Sequence, residues 1–404
     1  MKTFKIYTLG CKVNQYDTQV IREDYQRKGY LEVTDHSPAD LYIINTCTVT
    51  SSADKKSRHY IHLAHRENPQ AEIVVTGCYA QLDAKILGEI PGVTKVSRIK
   101  TSLSAVSDFQ DHTRPFLKIQ DGCNNSCAYC KVHIVRGRSR SKPLAKAVSE
   151  ARKLAAKGFK EIVLCGVCLG LYGQDLKPGS DLLHIIKALE KIKGLERIRL
   201  SSLEAWDITD QLIDHMARSK KLCRHLHIPI QSGADNILRR MNRQASFKLY
   251  SGLLNKAQKK IPGIGISTDI MVGFPGETND NFNATVELLK AIKPMRTHIF
   301  PYSRRKGTAA ATFQDPVPAN IITERFNLMK ALARTSELAF MKRSINKKLL
   351  VLFEERAKDA PGCWEGHTDN YLKIRLRSIK DLKNQLITVK LSKIQDDHIL
   401  ANIC

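Results

Sequence analysis

Asp121-Gly-Cys-Asn-Asn-Ser-Cys-Ala-Tyr-Cys130, followed closely by Arg136-Gly-Arg-Ser-Arg140, is the stretch around which the rest of the chain can be read. Its cysteines stand at 123, 127 and 130, spaced C-x3-C-x2-C, with Tyr129 just before the last. A cubane iron–sulfur cluster takes one protein ligand per iron, usually a thiolate. Three closely spaced thiolates would occupy three irons and leave the fourth open to a substrate or cofactor. Gly122, Asn124 and Asn125 tolerate left-handed backbone, which suits a loop curled round a compact object. The alternatives are a redox pair, a structural thiol cluster, or a zinc knuckle with His133 as fourth ligand. Zinc sites more often show a C-x2-C or Cys/His pair on each side, so the open-iron reading fits the spacing better.

Working outward, this loop follows a strand, and more strands follow it. Phe116–Ile119, Ile162–Leu164, Arg197–Leu200, His225–Ile230, Ile264–Val272 and His298–Phe300 read as strands. Helical spacing falls around 143–157, 181–193, 207–219, 233–258 and 278–292. Six such units suit an incomplete parallel (βα)6 barrel better than a flat doubly wound sheet. In barrels of this kind the chemistry sits on the loops after the strands. Those loops begin with the three cysteines and continue with Cys165-Gly-Val-Cys168, Ser201-Ser-Leu-Glu204 and Gln231-Ser-Gly233. Gly273-Phe-Pro-Gly-Glu277 and Tyr302-Ser-Arg-Arg-Lys-Gly307 complete the set. Singly each glycine loop reads as a plain turn. Together at one rim, with glycines for close approach and polar groups to fix a ligand, they read as one cofactor site. Cys165 and Cys168 trail a strand, so they read as incidental thiols near that site and not as a redox pair.

Residues 1–112 alternate strands (Lys5–Leu9, Leu41–Ile44, Glu72–Val75) with helices (Thr18–Tyr25, Ala53–Arg66, Gln81–Ile90), the pattern of an open parallel α/β sheet. Cys11, Cys47 and Cys78 each fall within three residues of a strand's end. The carboxyl ends of such strands line up along one edge, where ligands bind, so these thiols are expected to converge as a second set of three. The competing reading is three buried structural cysteines. His59, His62 and His65 stand at helical i, i+3 spacing that could bind metal, but with Lys55, Lys56, Arg58 and Arg66 they read better as one face of an exposed basic helix. The polar passage Thr101–Thr113 reads as a linker, giving units of 1–112, 113–343 and 344–404.

The last unit changes pattern. Leu349–Phe353, Tyr371–Leu376 and Leu386–Leu391 read as short strands with turns at Pro361-Gly362 and Asp381–Asn384, a small β-barrel. Lys373, Arg375, Arg377, Lys380 and Lys383 give it a basic side, and Trp364 and Tyr371 offer rings on which RNA bases could stack. A structural cap on the central barrel is the alternative. Across all 404 residues, 65 Lys and Arg oppose 40 acids, a net charge of +25 that points to a polyanionic partner such as nucleic acid. Hydrophobic content of 42% is that of a globular protein, and no apolar run reaches membrane-spanning length. The start, Met-Lys-Thr-Phe-Lys-Ile, reads as a strand and not a signal peptide. The 11 scattered cysteines suit metal or catalysis in a reducing, cytoplasmic setting, with no membrane partner.

The chain resembles the radical S-adenosylmethionine methylthiotransferases over essentially its whole length. The carriers are Gly10-Cys-Lys-Val-Asn-Gln15, Asn45-Thr-Cys-Thr-Val49, Gly77-Cys-Tyr-Ala-Gln81 and Cys123–Cys130, with Arg136–Arg140, His227-Ile-Pro-Ile-Gln-Ser-Gly233 and Gly273–Glu277. Gly10–Gln15 and Phe300-Pro-Tyr-Ser-Arg304 are similar to the branch acting on N6-threonylcarbamoyladenosine at position 37 of tRNA. The C-x3-C-x2-C motif alone implies only the radical superfamily; the N-terminal cysteines narrow it. The resemblance implies that Cys123, Cys127 and Cys130 are catalytic and hold a [4Fe-4S] cluster whose open iron takes S-adenosylmethionine. Reductive cleavage would yield a 5′-deoxyadenosyl radical that takes hydrogen from adenine C2. It implies that Cys11, Cys47 and Cys78 hold a second [4Fe-4S] cluster that delivers the methylated sulfur, with a further S-adenosylmethionine as methyl donor. Tyr129, Gly166, Ser201, Glu204 and Gln231 are the candidate cofactor contacts. The C-terminal unit resembles a TRAM domain, implying a tRNA anticodon stem-loop as partner. The chemistry also implies an electron donor such as flavodoxin or ferredoxin, and a sulfur donor that the residues do not specify. Where the family commonly has proline three residues after the last cluster cysteine, this chain has His133, and Cys165 and Cys168 are also departures. The alternatives are a methylthiotransferase for isopentenyladenosine in tRNA or for a ribosomal protein, and a zinc-bearing RNA-binding protein without catalysis.

Overall fold

A computed structural model of the chain describes residues 1–35, 37–98, 103–109 and 112–404. The first layer is a parallel sheet of β1 (Thr3–Thr8), β2 (Leu31–Glu32), β3 (Leu41–Thr46), β4 (Glu72–Gly77) and β5 (Val93–Val96), in the order β2-β1-β3-β4-β5. Every residue of β3 is buried, as a central parallel strand covered on both faces must be. Helices α1 (Lys12–Arg27), α2 (Ser51–Glu67), α3 (Cys78–Leu82) and α4 (Ala84–Gly88) connect the strands. Thr50 caps α2, its side chain accepting from the Ala53 amide at 3.2 Å. The helix expected over 81–90 is instead α3 and α4, because Asp83 leaves helical geometry (φ −130°, ψ 52°). The linker expected at 101–113 lies partly outside the described residues. Its described part is packed, with Val106 and Phe109 buried against Tyr16 and Phe116.

The central unit is the expected arc of six parallel strands. β6 (Phe116–Lys118) is followed by a short antiparallel ribbon, β7 (Gln120–Asp121) with β8 (Arg140–Ser141), which frames the cysteine loop. β9 (Glu161–Cys165) pairs with β6 and with β10 (Arg197–Leu200). β11 (His225–His227), β12 (Gly265–Val272) and β13 (Arg296–Pro301) form the other half. The halves meet through the Ser202–His227 bridge and the Leu203 amide, which donates to the His227 carbonyl at 3.0 Å. Between the strands lie α5 (Val132–Arg136), α6 (Leu144–Ala156), α7 (Leu182–Glu190), α8 (Asp210–Arg218), α9 (Asp235–Arg240), α10 (Phe247–Lys260) and α11 (Asn279–Ile292). The single helix expected over 233–258 is two, broken at Asn242, which adopts left-handed φ 54°. The Asn242 side-chain amide donates to the Ser126 carbonyl at 3.0 Å, tying the break to the cysteine loop. A 24-residue helix absent from the sequence expectations, α12 (Ala319–Lys342), follows β13 and buries Met329 in the barrel core. Its Arg325 pairs with the buried Glu277 at 2.6 Å.

The C-terminal barrel is closed, in the order β14 (Lys348–Arg356), β15 (Cys363–Thr368), β16 (Lys373–Arg377), β18 (His398–Ile403) and β17 (Leu386–Gln395). Two strands, Cys363–Thr368 and His398–Ile403, were not expected. The first is mostly polar, and only the alternate burial of Trp364, Gly366 and Thr368 makes it a strand. The hairpin joining β15 to β16 plugs the amino-terminal mouth of the central barrel. There Tyr371, at φ 74°, lies over the guanidinium groups of Arg199 (4.6 Å) and Arg114 (5.3 Å) and against the ring of His225 (4.7 Å). Arg199 also donates to the Thr368 and Asp369 carbonyls at 3.0 and 2.9 Å. Glu161, surrounded by Arg199, Arg114 and Arg197, is held at about 2 against its own burial. This corrects the stacking expectation: Tyr371 is a plug and Trp364 is core, so neither presents a free ring. Arg375 is paired with Glu365 and Asp359, and Lys373 with Glu365 and Asp397, which leaves Arg377, Lys380 and Lys383 exposed.

Candidate active site

The cysteine loop leaves β7 at Gly122, whose φ of 78° and contact with the Arg138 carbonyl leave no room for a side chain. Return bonds close the curl: the Cys123 amide donates to the Gly137 carbonyl and the Cys130 amide to the Cys127 carbonyl, both at 3.0 Å. The Asn124 side chain accepts from the Ser139 amide at 2.9 Å. The sulfurs meet backbone donors, the Asn125 amide 3.4 Å from Cys123 Sγ and the Val132 amide 3.4 Å from Cys130 Sγ. N–H groups aimed at sulfur favour the thiolate that a metal ligand must be. Burial opposes this, raising the Cys127 thiol and pushing Cys130 up to about 12. Metal coordination would reverse that balance.

A zinc ion would draw its donors tightly together, since tetrahedral thiolates at about 2.3 Å from zinc lie about 3.8 Å apart. Among the described residues only His227, Asp269 and His298 bring three ligating atoms within 4.8 Å of one another. Neither cysteine set is gathered to that span among the described residues. His133, on α5, keeps a buried Nδ1 without a hydrogen-bond partner.

Around the loop stand residues that the sequence reading missed. Arg243, in the break between α9 and α10, is buried and forks onto Glu204, with Nη1 3.2 Å from Glu204 Oε1 and Nη2 pairing with Oε2. The same guanidinium reaches the Tyr129 hydroxyl at 3.3 Å and lowers the thiol of Cys127 against burial. Tyr129 and Glu204 are thus brought together beside the cysteines by a third residue. Gly166 and Ser201 directly follow β9 and β10, and Gln231 lies in the loop after β11, where it bridges to Ile270. Gly166 touches the Gln120 side chain, Ser201 keeps a buried hydroxyl without a partner, and Gln231 adopts left-handed φ 68°. Of the two extra thiols, Cys165 is fully buried, whereas Cys168 hydrogen-bonds Cys123 and lowers its pKa. Cys168 Sγ lies 3.6 Å from Asn125 Nδ2 and 3.7 Å from Asp207 Oδ2. Asp207 is raised to about 6, first by burial and then by Glu204.

The second set is assembled by topology. Cys11 precedes α1, Cys47 follows β3 and Cys78 opens α3, all at the carboxyl edge of the first sheet. A side chain on Gly10 (φ 98°) would lie 2.9 Å from Cys47 Sγ, so glycine there lets Cys47 close in. The thiols of Cys11 and Cys78 both raise that of Cys47, which burial pushes up to about 11.

One buried network joins the two sets. Arg136, six residues after Cys130, donates to Asn14 Oδ1 (2.6 Å), Asp17 Oδ2 (2.9 Å) and Asp121 Oδ1 (3.0 Å). Lys118 Nζ completes it at 2.6 Å from both Asp17 and Asp121. Asn14 Oδ1 also lies 3.9 Å from Cys78 Sγ, and Arg136 lowers that thiol against the burial that raises it. A second tie comes from Arg305, after β13, which donates to the Thr48 carbonyl (3.0 Å) and Asp54 (2.6 Å) just beyond Cys47. Both sets therefore share one rim. His59 and His62 are exposed on α2 as expected, whereas His65 is half-buried, and among the described residues none of the three lies in a cluster of ligating groups.

Residues 3–97 match the profile described as "Uncharacterized protein family UPF0004", and residues 117–289 match the Radical SAM superfamily. The fold agrees: a radical S-adenosylmethionine methyltransferase, TsrM, from Kitasatospora setae superposes with a TM-score of 0.55 over 76% of each chain at 15% identity. The Radical SAM match makes the chain a radical S-adenosylmethionine enzyme, with which the arc of strands agrees. Among curated relatives, "Threonylcarbamoyladenosine tRNA methylthiotransferase MtaB" of Bacillus subtilis is 38% identical, covering 97% of this chain and 94% of that one. The protein of the same name from Thermotoga maritima is 36% identical over 92% and 91%. The "tRNA-2-methylthio-N(6)-dimethylallyladenosine synthase" of Clostridium botulinum strain Hall is 32% identical over 96% and 94%. The chain belongs to the threonylcarbamoyladenosine tRNA methylthiotransferase family. It is a radical enzyme of a family whose cofactors are S-adenosylmethionine and [4Fe-4S] clusters. No helix among the described residues is long and apolar enough to cross a membrane.

Proposed function

We propose that the chain inserts a methylthio group at C2 of N6-threonylcarbamoyladenosine at position 37 of tRNA. Cys123, Cys127 and Cys130 would hold the cluster that binds S-adenosylmethionine, and Cys11, Cys47 and Cys78 the auxiliary one. When bound, these groups supply the radical that activates C2 and the sulfur and methyl group placed there. The protein's part is to hold and orient. Tyr129, Gly166, Ser201, Glu204 and Gln231 are the proposed cofactor contacts, to which Arg243 is added as the residue positioning Glu204. The buried Ser201 hydroxyl without a partner is a polar group awaiting a ligand. The C-terminal unit packs against the other mouth of the barrel, so substrate would approach from the rim.

The observation that carries this reading is the Arg136 network, which ties two separate three-cysteine sets to one rim. Units 1–112, 113–343 and 344–404 would carry the auxiliary cluster, the radical chemistry and RNA binding, respectively. A tRNA anticodon stem-loop is the substrate, flavodoxin or ferredoxin the class of electron donor, and the cytoplasm the compartment. Mass spectrometry of nucleosides from tRNA with and without the gene tests it. The 2-methylthio derivative of threonylcarbamoyladenosine should vanish on deletion and return with the gene. Loss of the methylthio-isopentenyl nucleoside instead would reassign the substrate, and loss of neither would remove tRNA from the reading.

A further inference from the structure

The inner face of the barrel's last two strands carries a set of residues that cluster binding does not use. In β12, Ile266, Thr268, Ile270 and Val272 are buried, three of them in the core shared with the helices. By the two-residue period of a strand, Ser267, Asp269 and Met271 face the inside of the arc, opposite Arg296, His298 and Phe300 of β13. Among the described residues β13 is an edge strand, paired only with β12. His298 and Phe300 are 48% and 44% exposed there, with ring centroids 6.5 Å apart.

His227, Asp269 and His298 bring three ligating atoms within 4.8 Å of one another, and without an ion these atoms join a hydrogen-bonded relay. His225 is buried and kept neutral, and its Nδ1 has no partner. A buried N–H is the costlier group to leave unpaired, so the proton sits on Nε2 and is given to Ser267 Oγ at 2.9 Å. Ser267 then donates to His227 Nδ1 (2.9 Å), and His227 Nε2–H to Asp269 Oδ2 (3.1 Å). His298 Nδ1–H donates to the other oxygen, Oδ1, at 3.0 Å. The relay fixes the ring of His298 through Nδ1 and turns its Nε2 away from Asp269.

An edge-strand phenylalanine at this exposure, beside a histidine held by a carboxylate, is the pairing that takes an unstacked base: a ring to stack on and a polar atom to read its edge. The next loop supplies charge for the phosphates, where Arg304 and Lys306 line an open cleft of about 690 Å³ with Thr308 and Thr312. We propose that His298 and Phe300 receive the target purine of the RNA. Phe300 stacks on the ring and His298 Nε2 meets the N6 edge, with Asp269 as the positioning residue. This rests on the tRNA reading above.

The test uses the full chain with reconstituted clusters and an anticodon stem-loop carrying N6-threonylcarbamoyladenosine. Phe300→Ala should raise KM about tenfold, the order expected for one lost base stack, and Phe300→Trp should restore it. His298→Ala and Asp269→Asn should raise KM alike. Binding is also measured against a stem-loop abasic at position 37. Wild type should lose affinity on that RNA, and Phe300→Ala should lose nothing further, which a merely structural role would not produce. Equal affinity of wild type and Phe300→Ala for the intact stem-loop, or no gain from Phe300→Trp, would overturn the docking. Absence of methylthiolation by wild type would overturn the parent reading instead, and the binding comparison would still decide the docking.

Discussion

The two cysteine sets reach the same rim by opposite routes. Cys123, Cys127 and Cys130 lie within eight residues of sequence, on a loop closed by its own backbone bonds. Cys11, Cys47 and Cys78 span 68 residues and meet only because three parallel strands end along one edge. The first set can form wherever its loop forms; the second needs the whole sheet. Their electrostatics differ as well. Cys127 answers to Arg243 and Glu204, within the barrel, while Cys78 answers to Arg136, which arrives from the barrel across the boundary between layers. The first set is thus locally built, and the second depends on how barrel and sheet are joined.

The largest expected effect separates the sets. Cys127→Ala should abolish 5′-deoxyadenosine formation. Cys47→Ala should retain it yet lose methylthiolated product by at least about a thousandfold, because removing one member of a unit acting together removes nearly all its contribution. Assays of both products in each variant check this, and parallel loss of 5′-deoxyadenosine in Cys47→Ala would break the distinction.

Next in size is the junction. Arg136→Gln leaves Asp17, Asp121 and Lys118 buried with one cation too few, a loss of about 3–5 kcal/mol for a broken buried pair. Denaturant unfolding of the metal-free protein should show it, with Arg136→Lys between the two. No change in either variant would mean that the network does not hold the layers together.

The smallest effect is in thiol reactivity at mildly alkaline pH. Cys123, lowered by its bond from Cys168, carries more thiolate than an ordinary cysteine, whereas Cys47 and Cys130, pushed up by burial to about 11 and about 12, carry far less. Alkylation of metal-free protein mapped by mass spectrometry should therefore label Cys123 well before Cys47 or Cys130. Raising the pH toward 11 should close the gap with Cys47 first. Equal rates at pH 8 would contradict the local electrostatics.

How much of this was legible beforehand follows the same contrast. The first cysteine loop was readable because its residues are contiguous, and a central strand such as β9 because a parallel strand buried on both faces reads as an apolar run. Strands β11 and β13, polar and partly exposed, were readable only from their place in the strand–helix alternation. The second set could be inferred only from where strands ended. Arg243 was not legible: it occupies a helix break and meets Glu204 from 39 residues away. Arg136 stood in a quoted motif, but its part depends on Asn14 and Asp17 in another layer. Tyr371 was misread for the same reason, since an aromatic residue on a β-hairpin is a free ring or a plug according to what faces it. The helix α12 was missed because few of its 24 residues are buried, so its apolar stripe is thin.

Iron content tests the two-set account most directly. Reconstituted under anaerobic conditions, the wild-type chain should carry about eight irons, two cubanes' worth. The variant with Cys11, Cys47 and Cys78 all changed to Ala should carry about four, and so should the one lacking Cys123, Cys127 and Cys130. About four irons in the wild type, unchanged when the three N-terminal cysteines are removed, would contradict the account.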